Sequence, residues 1–146
     1  MKFMLMVKAT GYSEAGVRHD QTHINATLAF KAALAAAGVW LADEVLEPSS
    51  RGIRIIYPLH EQIPVTQAGP FPVDPSVLAQ FYLIEVPSED EALQWAYRIP
   101  IPKDQGEYEI EIRSVELNER LFREPRTEAL EAELLDQLDM LHKIKS

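Results

Sequence analysis

The sequence predicts an α+β fold in which two helices cover one face of a single β-sheet. The hydrophobic patterns run in the order strand, helix, two or three strands, helix, strand, which is a doubled β-α-β arrangement of ferredoxin-like build. Two of the strands are apolar on both sides, so both faces of the sheet require a cover. A second copy of the sheet is the simplest cover for the face without helices, and we therefore expect a homodimer that forms a dimeric α+β barrel.

The first strand illustrates the two-sided pattern. Its apolar residues at odd positions share one face, whereas Met4 and Met6 lie on the other. We expect the face with the methionines to carry Tyr82 and Ile84 of a later strand as well. The predicted homodimer forms through this face.

The helices are identified by their period and their boundary residues. The Ala-rich segment Asp20–Ala37 ends at a glycine, and its packing face is predicted to hold Ile24, Leu28 and Leu34. A capping box that begins at Ser88 opens the next helix. The remaining predicted elements are strands at Lys2–Ala9, Val39–Leu46, Gly52–Tyr57, Gln80–Val86 and Tyr108–Val115, a short hairpin partner at Ile63–Thr66, and a loop at Gly11–Gly16.

The C-terminal segment is predicted to be an added amphipathic helix. It spans Thr127–Lys145 and has acidic residues in its first turn and basic residues in its last, which matches the helix dipole. We therefore divide the chain into a ferredoxin-like domain over residues 1–116 and a C-terminal helical extension over residues 117–146. The apolar stripe of this helix, which needs a surface on its own sheet or on a neighbouring subunit, consists of Leu130, Leu134, Leu138 and Leu141.

The composition argues against several classes of function. The chain has no cysteine, which removes thiolate nucleophiles, disulfides and cysteine-based metal sites. Its formal charge of -9 argues against a nucleic-acid partner, because phosphate recognition depends on clustered Lys and Arg. No apolar run reaches the length of a membrane span, and the apolar N-terminus lacks a cleavage pattern. We therefore expect no membrane association and a cytoplasmic location.

His19 and His23 stand one helical turn apart at the start of the first helix, a spacing that a metal ion can bridge. A pair on a helix still needs a third ligand, and the sequence identifies none, so we predict no metal and no cofactor. His23 is instead a candidate catalytic residue, because an imidazole that titrates near neutral pH can act as a general base. The other interpretation is a solvated or hydrogen-bonded structural histidine.

Glu44 is the second candidate catalytic residue, and Lys8 is a candidate substrate-binding residue. We expect the two on neighbouring strands, where a buried ammonium would require a carboxylate partner. The pair is then either an ordinary ion pair at a strand end or a polar anchor for the carboxylate, carbonyl or phenol of a ligand.

Three aromatic residues and one arginine complete the candidate substrate-binding set. Trp40, Phe71 and Tyr82 are predicted to line an apolar pocket, although aromatic residues on strands more often belong to the core. Arg54 is a candidate for binding an acidic ligand. Alternatively, it lies on an edge strand and discourages aggregation.

Several short segments occur with an order and spacing that resemble a known family. These segments are Lys8-Ala9-Thr10, Ser13–Gly16, Ala37-Gly38-Val39, Pro48-Ser49-Ser50, Gly69-Pro70-Phe71, Glu91–Trp95 and Glu109–Arg113. In them the chain resembles the DGPF/YCII-related family of small bacterial proteins, and the resemblance implies a ferredoxin-like subunit in a dimeric α+β barrel. Smaller relatives are similar to enzymes that use a His–Asp pair, and one branch is associated with dehydrochlorination of aromatic compounds. The first-strand Asp of that pair falls at about Ala9.

We therefore predict a small-molecule-binding protein whose activity is cofactor-independent acid–base chemistry of lyase, isomerase or dehalogenase type. The alternative is a non-catalytic binding or regulatory module whose function is dimerisation or contact with a protein partner. A pocket that Lys8, His23 or Glu44 reaches would favour the first interpretation, and a filled barrel would favour the second.

Overall fold

The structure is a computed structural model that describes residues 1–60, 63–116 and 125–145. It contains two compact units, Met1–Val115 and Glu116–Ser146. The described strands and every candidate site residue belong to the first unit, and the second unit contains the C-terminal helix.

The observed elements end within two residues of their predicted positions. Among the described residues, a 3-10 turn at Ser49–Arg51 and a short helix are additions to the prediction. The short helix lies in the predicted loop after the first strand, where Thr10 and Ser13 each accept a hydrogen bond from the other's backbone N–H. The strands are β1 (Lys2–Lys8), β2 (Trp40–Val45), β3 (Ile53–Ile56), β4 (Val65–Ala68), β5 (Leu78–Glu85) and β6 (Ile110–Ser114), and the helices are α1 (Gly11–Glu14), α2 (Gln21–Ala36), α3 (Glu89–Tyr97) and α4 (Pro125–Lys145).

The sheet of the first unit has four strands in the order β2-β5-β1-β6, and each neighbouring pair is antiparallel. Helix α2 connects β1 to β2, and α3 connects β5 to β6. This topology confirms the predicted α+β, ferredoxin-like fold. Strands β3 and β4 form a separate two-stranded hairpin in the connection between β2 and β5. The dimeric barrel stays a prediction.

The hydrophobic core lies between the sheet and helices α2 and α3. Phe30 of α2 meets the ring of Tyr82 edge to face, with ring centroids 5.1 Å apart. Ile84 is fully buried here, so the expectation that it faces away from the helices is wrong. The buried core cluster consists of Phe3, Leu5, Val7, Phe30, Leu34, Tyr82, Ile84, Val86, Ala92, Ala96 and Ile99.

Tyr82 likewise lies on the core face and not on the face of the methionines. It is the register partner of Leu5, whereas Met6 is the register partner of Phe81. Because alternate residues of a strand point to opposite faces, Phe81 and Leu83 lie beside the methionines on the sheet face without helices, which we call the open face. The strand pattern of β5 was correctly predicted, but the sequence alone assigned its two faces the wrong way round.

The packing face of α2 also differs from the prediction. Phe30 and Leu34, four residues apart, are buried against the sheet. Ile24 and Leu28 are 42% and 61% exposed, so the prediction is right only for Leu34. In a helix this rich in alanine, several stripes are apolar enough to serve as the packing face, and the large ring of Phe30 decides between them.

The turn that follows β4 packs tightly against the 3-10 turn that follows β2. The backbone N–H of Gly69 donates to the carbonyl of Gly52 at 2.9 Å, and the N–H of Phe71 donates to Ser49 Oγ at 2.9 Å. The Glu14 carboxylate accepts hydrogen bonds from the Ser49 backbone N–H, at 2.8 Å, and from the Ser49 hydroxyl. The Glu14 carboxylate therefore joins α1 to both turns.

Helix α4 is a continuous helix over Pro125–Lys145, as the amphipathic pattern predicts. Leu130, Leu134, Leu138 and Leu141 of its apolar stripe are 54–58% exposed. The surface that covers this stripe stays a prediction. None of the helices within the described residues combines the length and the apolar character needed to cross a bilayer.

Replacing Gly69 with alanine should destabilise the first unit strongly. A Cβ atom on Gly69 would lie 1.7 Å from the carbonyl oxygen of Ser49. This oxygen belongs to the backbone and cannot move away by a change of side-chain rotamer. We expect the Gly69→Ala variant to lose about 1–3 kcal/mol or more of unfolding free energy in urea titrations.

Gly11→Ala is the matched control, because nothing lies within 4 Å of the Cβ position at Gly11. Its unfolding free energy should stay within about 0.5 kcal/mol of the parent. Equal stabilities of the two variants would contradict the close packing of the turns.

Candidate functional site

A cleft of about 410 Å³ lies on the helix-covered face of the sheet, where β1 and β2 end and β5 begins, next to the first turn of α2. Its volume is within the range of small-molecule sites, and its wall is mainly aliphatic. We call it the histidine cleft; it is lined by Val7, Ser13, Gly16, Val17, Arg18, His19, His23, Ile24, Val45, Leu46, Pro48, Ala79, Gln80, Pro100, Pro102 and Tyr108.

The start of α2 positions His23. Asp20 caps the helix by accepting a hydrogen bond from the His23 backbone N–H at 2.8 Å. On the imidazole itself, Nε2 lies 3.4 Å from Thr27 Oγ1, one helical turn further on. The ring of His19 lies on the other side, with its centroid 4.2 Å from that of His23. The His23 ring therefore contacts Thr27 on its own helix and His19 just before the cap of that helix, and it lines the cleft.

His23 is a neutral base at physiological pH. Burial in the cleft lowers the pKa of His23 below the ordinary value of 6.5, and the nearby His19 lowers it further. The carboxylate of Asp20 opposes the shift but does not cancel it. A neutral imidazole can accept a proton from a bound molecule, as general-base chemistry requires.

Gln80 reaches the cleft from β5 and is fixed from behind by Tyr82. The Gln80 side-chain amide donates from Nε2 to the Tyr82 hydroxyl oxygen at 2.8 Å. Burial raises the pKa of Tyr82 to about 12, and the negative charge of Asp43 raises it as well, so the phenol stays neutral. The predicted role of Tyr82 as a pocket residue is thus indirect, because its ring is in the core and only its hydroxyl supports a residue of the cleft.

A metal ion would need more ligands than the cleft offers. His19 and His23 are close to each other, but within residues 1–60, 63–116 and 125–145 no group of three His, Cys, Asp or Glu side chains is arranged to hold a metal ion.

Lys8 and Glu44 do not lie on neighbouring strands, and this expectation is wrong. Strand β5 separates β1 from β2 in the sheet, whereas β6 lies directly beside β1. The Lys8 ammonium pairs with Glu111 of β6 at 3.2 Å. The hydrogen bond from Lys8 lowers the pKa of Glu111, and Arg113 also pairs with this carboxylate.

Glu44 and Trp40 lie away from the histidine cleft. Glu44 is the register partner of Phe81, so it points to the open face of the sheet, opposite the face that His23 covers. Trp40, at the start of β2, is 46% exposed, and its indole N–H donates to Asp43 at 2.7 Å. The structure therefore does not bring the two candidate catalytic residues together.

Arg54 and Phe71 line a second cleft, which we call the arginine cleft. The guanidinium of Arg54 lies over the ring of Phe71, 3.9 Å from its centroid, and donates to Ser76 Oγ at 3.2 Å. This cleft has a volume of about 340 Å³ and shares Leu46 and Pro48 with the histidine cleft. Lys8 lines a smaller cleft of about 250 Å³ beside Asp74, Glu107 and Glu109.

The largest described cleft, of about 530 Å³, contains few side chains that could act in catalysis. It is formed around Tyr12 and Val73, with Glu107 as its acidic residue, and it contains no imidazole. The histidine cleft is the candidate site because it alone among the four described clefts combines an imidazole pair, a guanidinium and a phenol.

Sequence reasoning missed four polar residues of the histidine cleft: Ser13, Arg18, Gln80 and Tyr108. Gln80 carries a usable signal, because a polar side chain in an apolar strand, two positions before Tyr82, shares the face of that residue. Arg18 lies two residues before Asp20, the cap of the helix that carries His23, so its position near the start of α2 follows from the sequence. Tyr108 precedes β6, and only the fold brings it to the same cleft as His23.

His23 should titrate below pH 6.5, and His19→Gln should raise its midpoint toward that value by removing a like charge. Because the pKa of His23 is lower in the folded chain than in the unfolded chain, the unfolded chain binds the proton more tightly. The free energy of unfolding should therefore rise with pH in the window just below 6.5. His23→Gln should make the free energy of unfolding less dependent on pH in this window. Imidazole NMR titration and urea unfolding at several pH values measure both effects. A His23 midpoint at or above 6.5 would contradict the described environment.

Comparison with known proteins matches residues 1–116 to the YCII-related domain. The matched range contains the whole sheet, both core helices and all residues of the histidine cleft. A search of curated proteins found no match. Because the family match covers most of the chain and the topology is ferredoxin-like, the chain belongs to the YCII-related family.

Proposed function

We propose that the protein binds a small molecule in the histidine cleft and performs cofactor-independent acid–base chemistry on it, with His23 as the general base. The observation that carries the proposal is a neutral imidazole in an aliphatic cleft of about 410 Å³. A base that is uncharged at neutral pH and partly buried among aliphatic side chains is suited to removing a proton from a weakly acidic carbon. Lyase, isomerase and dehalogenase reactions can all begin with this step.

In this step the C–H bond of the ligand breaks, its proton moves to the imidazole of His23, and the electron pair remains on the ligand. The pair then forms a double bond as a leaving group departs with the electrons of its own bond, or the pair shifts along the ligand and the His23 imidazolium returns the proton to a neighbouring carbon. Tyr108 and Gln80 line the same cleft and supply a hydroxyl and an amide for orienting the ligand. Glu44 has no part in this proposal, because its strand position directs it to the opposite face of the sheet.

The proposed chemistry predicts hydrogen exchange on bound ligands. A small-molecule library is first screened by thermal shift, since a ligand at 100 times its Kd stabilises the folded state by about 2.7 kcal/mol. The hits are then incubated with the protein in D2O, and the loss of C–H signals is followed by NMR. We expect exchange of at least one hit, and a rate about 10²–10⁴-fold lower for His23→Gln.

His60→Gln is the matched control, because His60 is an exposed histidine in the turn after β3 and lines none of the four described clefts. It should exchange at the parent rate. If the hits bind in the histidine cleft but none of their C–H groups exchanges, the catalytic step is refuted, and the protein only binds these ligands. Equal rates for His23→Gln and the parent would exclude His23 as the base.

A non-catalytic module that acts through self-association is the second candidate function. It is favoured by the β3–β4 hairpin, where Ile53, Ile55 and Tyr57 are 58–76% exposed. An isolated two-stranded hairpin is marginally stable in water, and exposed apolar surface of this kind commonly meets another protein. The sheet face without helices, which carries the half-buried Met4 and the 9% exposed Met6, is the other surface that supports a homodimer.

If the homodimer forms through the open sheet face, a charge introduced on this face should prevent dimerisation, whereas the same charge elsewhere should not. We expect the parent to sediment as a dimer at micromolar concentration and Met4→Glu to sediment as a monomer, because a carboxylate in an apolar interface remains unpaired. The control is Leu28→Glu, which places the same charge on a position of α2 that is 61% exposed. A monomeric parent, or a dimer that tolerates Met4→Glu, would refute this interface.

A further inference from the structure

We infer that the natural ligand of the histidine cleft is a small organic acid whose carboxylate pairs with Arg18 while its apolar body lies against the aliphatic wall. The inference deepens the proposed function and rests on it, because the molecule that occupies this cleft is the one on which His23 acts. It assigns to Arg18 the role of a ligand-binding residue that sets specificity for charge.

The charge of the cleft is opposite to that of the chain. The chain carries 23 acidic residues and a formal charge of -9. Even so, no Asp or Glu is among the described residues that line the histidine cleft, and Arg18 is the residue there that is always protonated. A cationic group in a cleft whose lining contains no carboxylate favours a bound anion.

The two carboxylates closest to Arg18 in sequence already have other partners. Glu14 accepts hydrogen bonds from the backbone N–H and the hydroxyl of Ser49, on the far side of α1. Asp20 accepts the backbone N–H of His23 as the cap of α2. Arg18 forms no ion pair with any other residue that the structure describes. Its planar guanidinium is thus available for a carboxylate of the ligand, with which it can form two parallel hydrogen bonds.

The rest of the wall excludes a ligand that is polar throughout. Val17, Ile24, Val45, Leu46 and Pro100 are among the aliphatic residues that line the space beside Arg18, and the first four are 42–68% exposed, which leaves apolar surface for a ligand to cover. Burying apolar ligand surface against them is favourable at about 25 cal/mol per Å². Sugars and inorganic phosphate would leave this wall without contacts, so the chemistry fits one acidic group on a hydrocarbon body.

The test compares small acids with their uncharged amides. Benzoate, phenylacetate and cyclohexanecarboxylate are each titrated beside benzamide, phenylacetamide and cyclohexanecarboxamide, and binding is followed by the NMR signals of the His23 imidazole and the Arg18 guanidinium. We expect at least one acid to bind about fivefold or more tightly than its amide. Arg18→Gln should abolish this preference while leaving the affinity for the amide unchanged.

Arg51→Gln is the matched control, because Arg51 lines the neighbouring arginine cleft and not the histidine cleft. It should keep the preference for acids. A preference that survives Arg18→Gln, or that disappears with Arg51→Gln, would overturn the assignment to Arg18. Acids and amides that shift the His23 signals with equal affinity would overturn the inference alone. The absence of any shift in the histidine cleft with all six compounds would count against both the inference and the proposed function.

Discussion

The antiparallel register between β1 and β5 decides where most side chains of the first unit point. Leu5 lies opposite Tyr82 in this register, and the two share the core face. Because strand residues alternate between faces, a shift by one residue would move Tyr82 out of the core and Gln80 out of the histidine cleft. The edge-to-face contact of Phe30 with Tyr82 contributes to this register, since a shift by one residue would remove it.

The same register and strand order separate residues that were predicted to lie close together. Lys8 and Glu44 lie at the ends of parallel strands, but β5 is inserted between those strands, and Lys8 pairs with Glu111 instead. Glu44 and His23 are separated by the sheet itself. An ion pair, Lys31 with Asp43 at 2.7 Å, joins α2 to β2 on the core side and leaves Glu44 on the open side.

The histidine cleft exists because several chain segments end at one corner of this sheet. The last residues of β1 and β2, the first residues of β5 and the start of α2 converge there, as is usual for ligand sites at the ends of strands. Two hydrogen bonds position residues of the cleft: the His23 backbone N–H donates to Asp20 at the cap of α2, and the Gln80 amide donates to the Tyr82 hydroxyl. Asp20 and Glu14, the carboxylates near this part of the sheet, accept hydrogen bonds from backbone donors and from the Ser49 hydroxyl, and neither lines the cleft.

The sequence by itself determined the elements, their order and the fold class, because these depend on local periodicity, caps and turns. It also determined that His23 belongs to the start of a helix, near the place where a pocket forms. It left open which face of β5 is buried, since Phe81 and Tyr82 are both large and apolar enough for the core. Only the tertiary structure decided that Gln80 and Tyr108 line the same cleft as Arg18 and His23, because the proximity of residues distant in sequence depends on strand order and register, which local patterns do not encode.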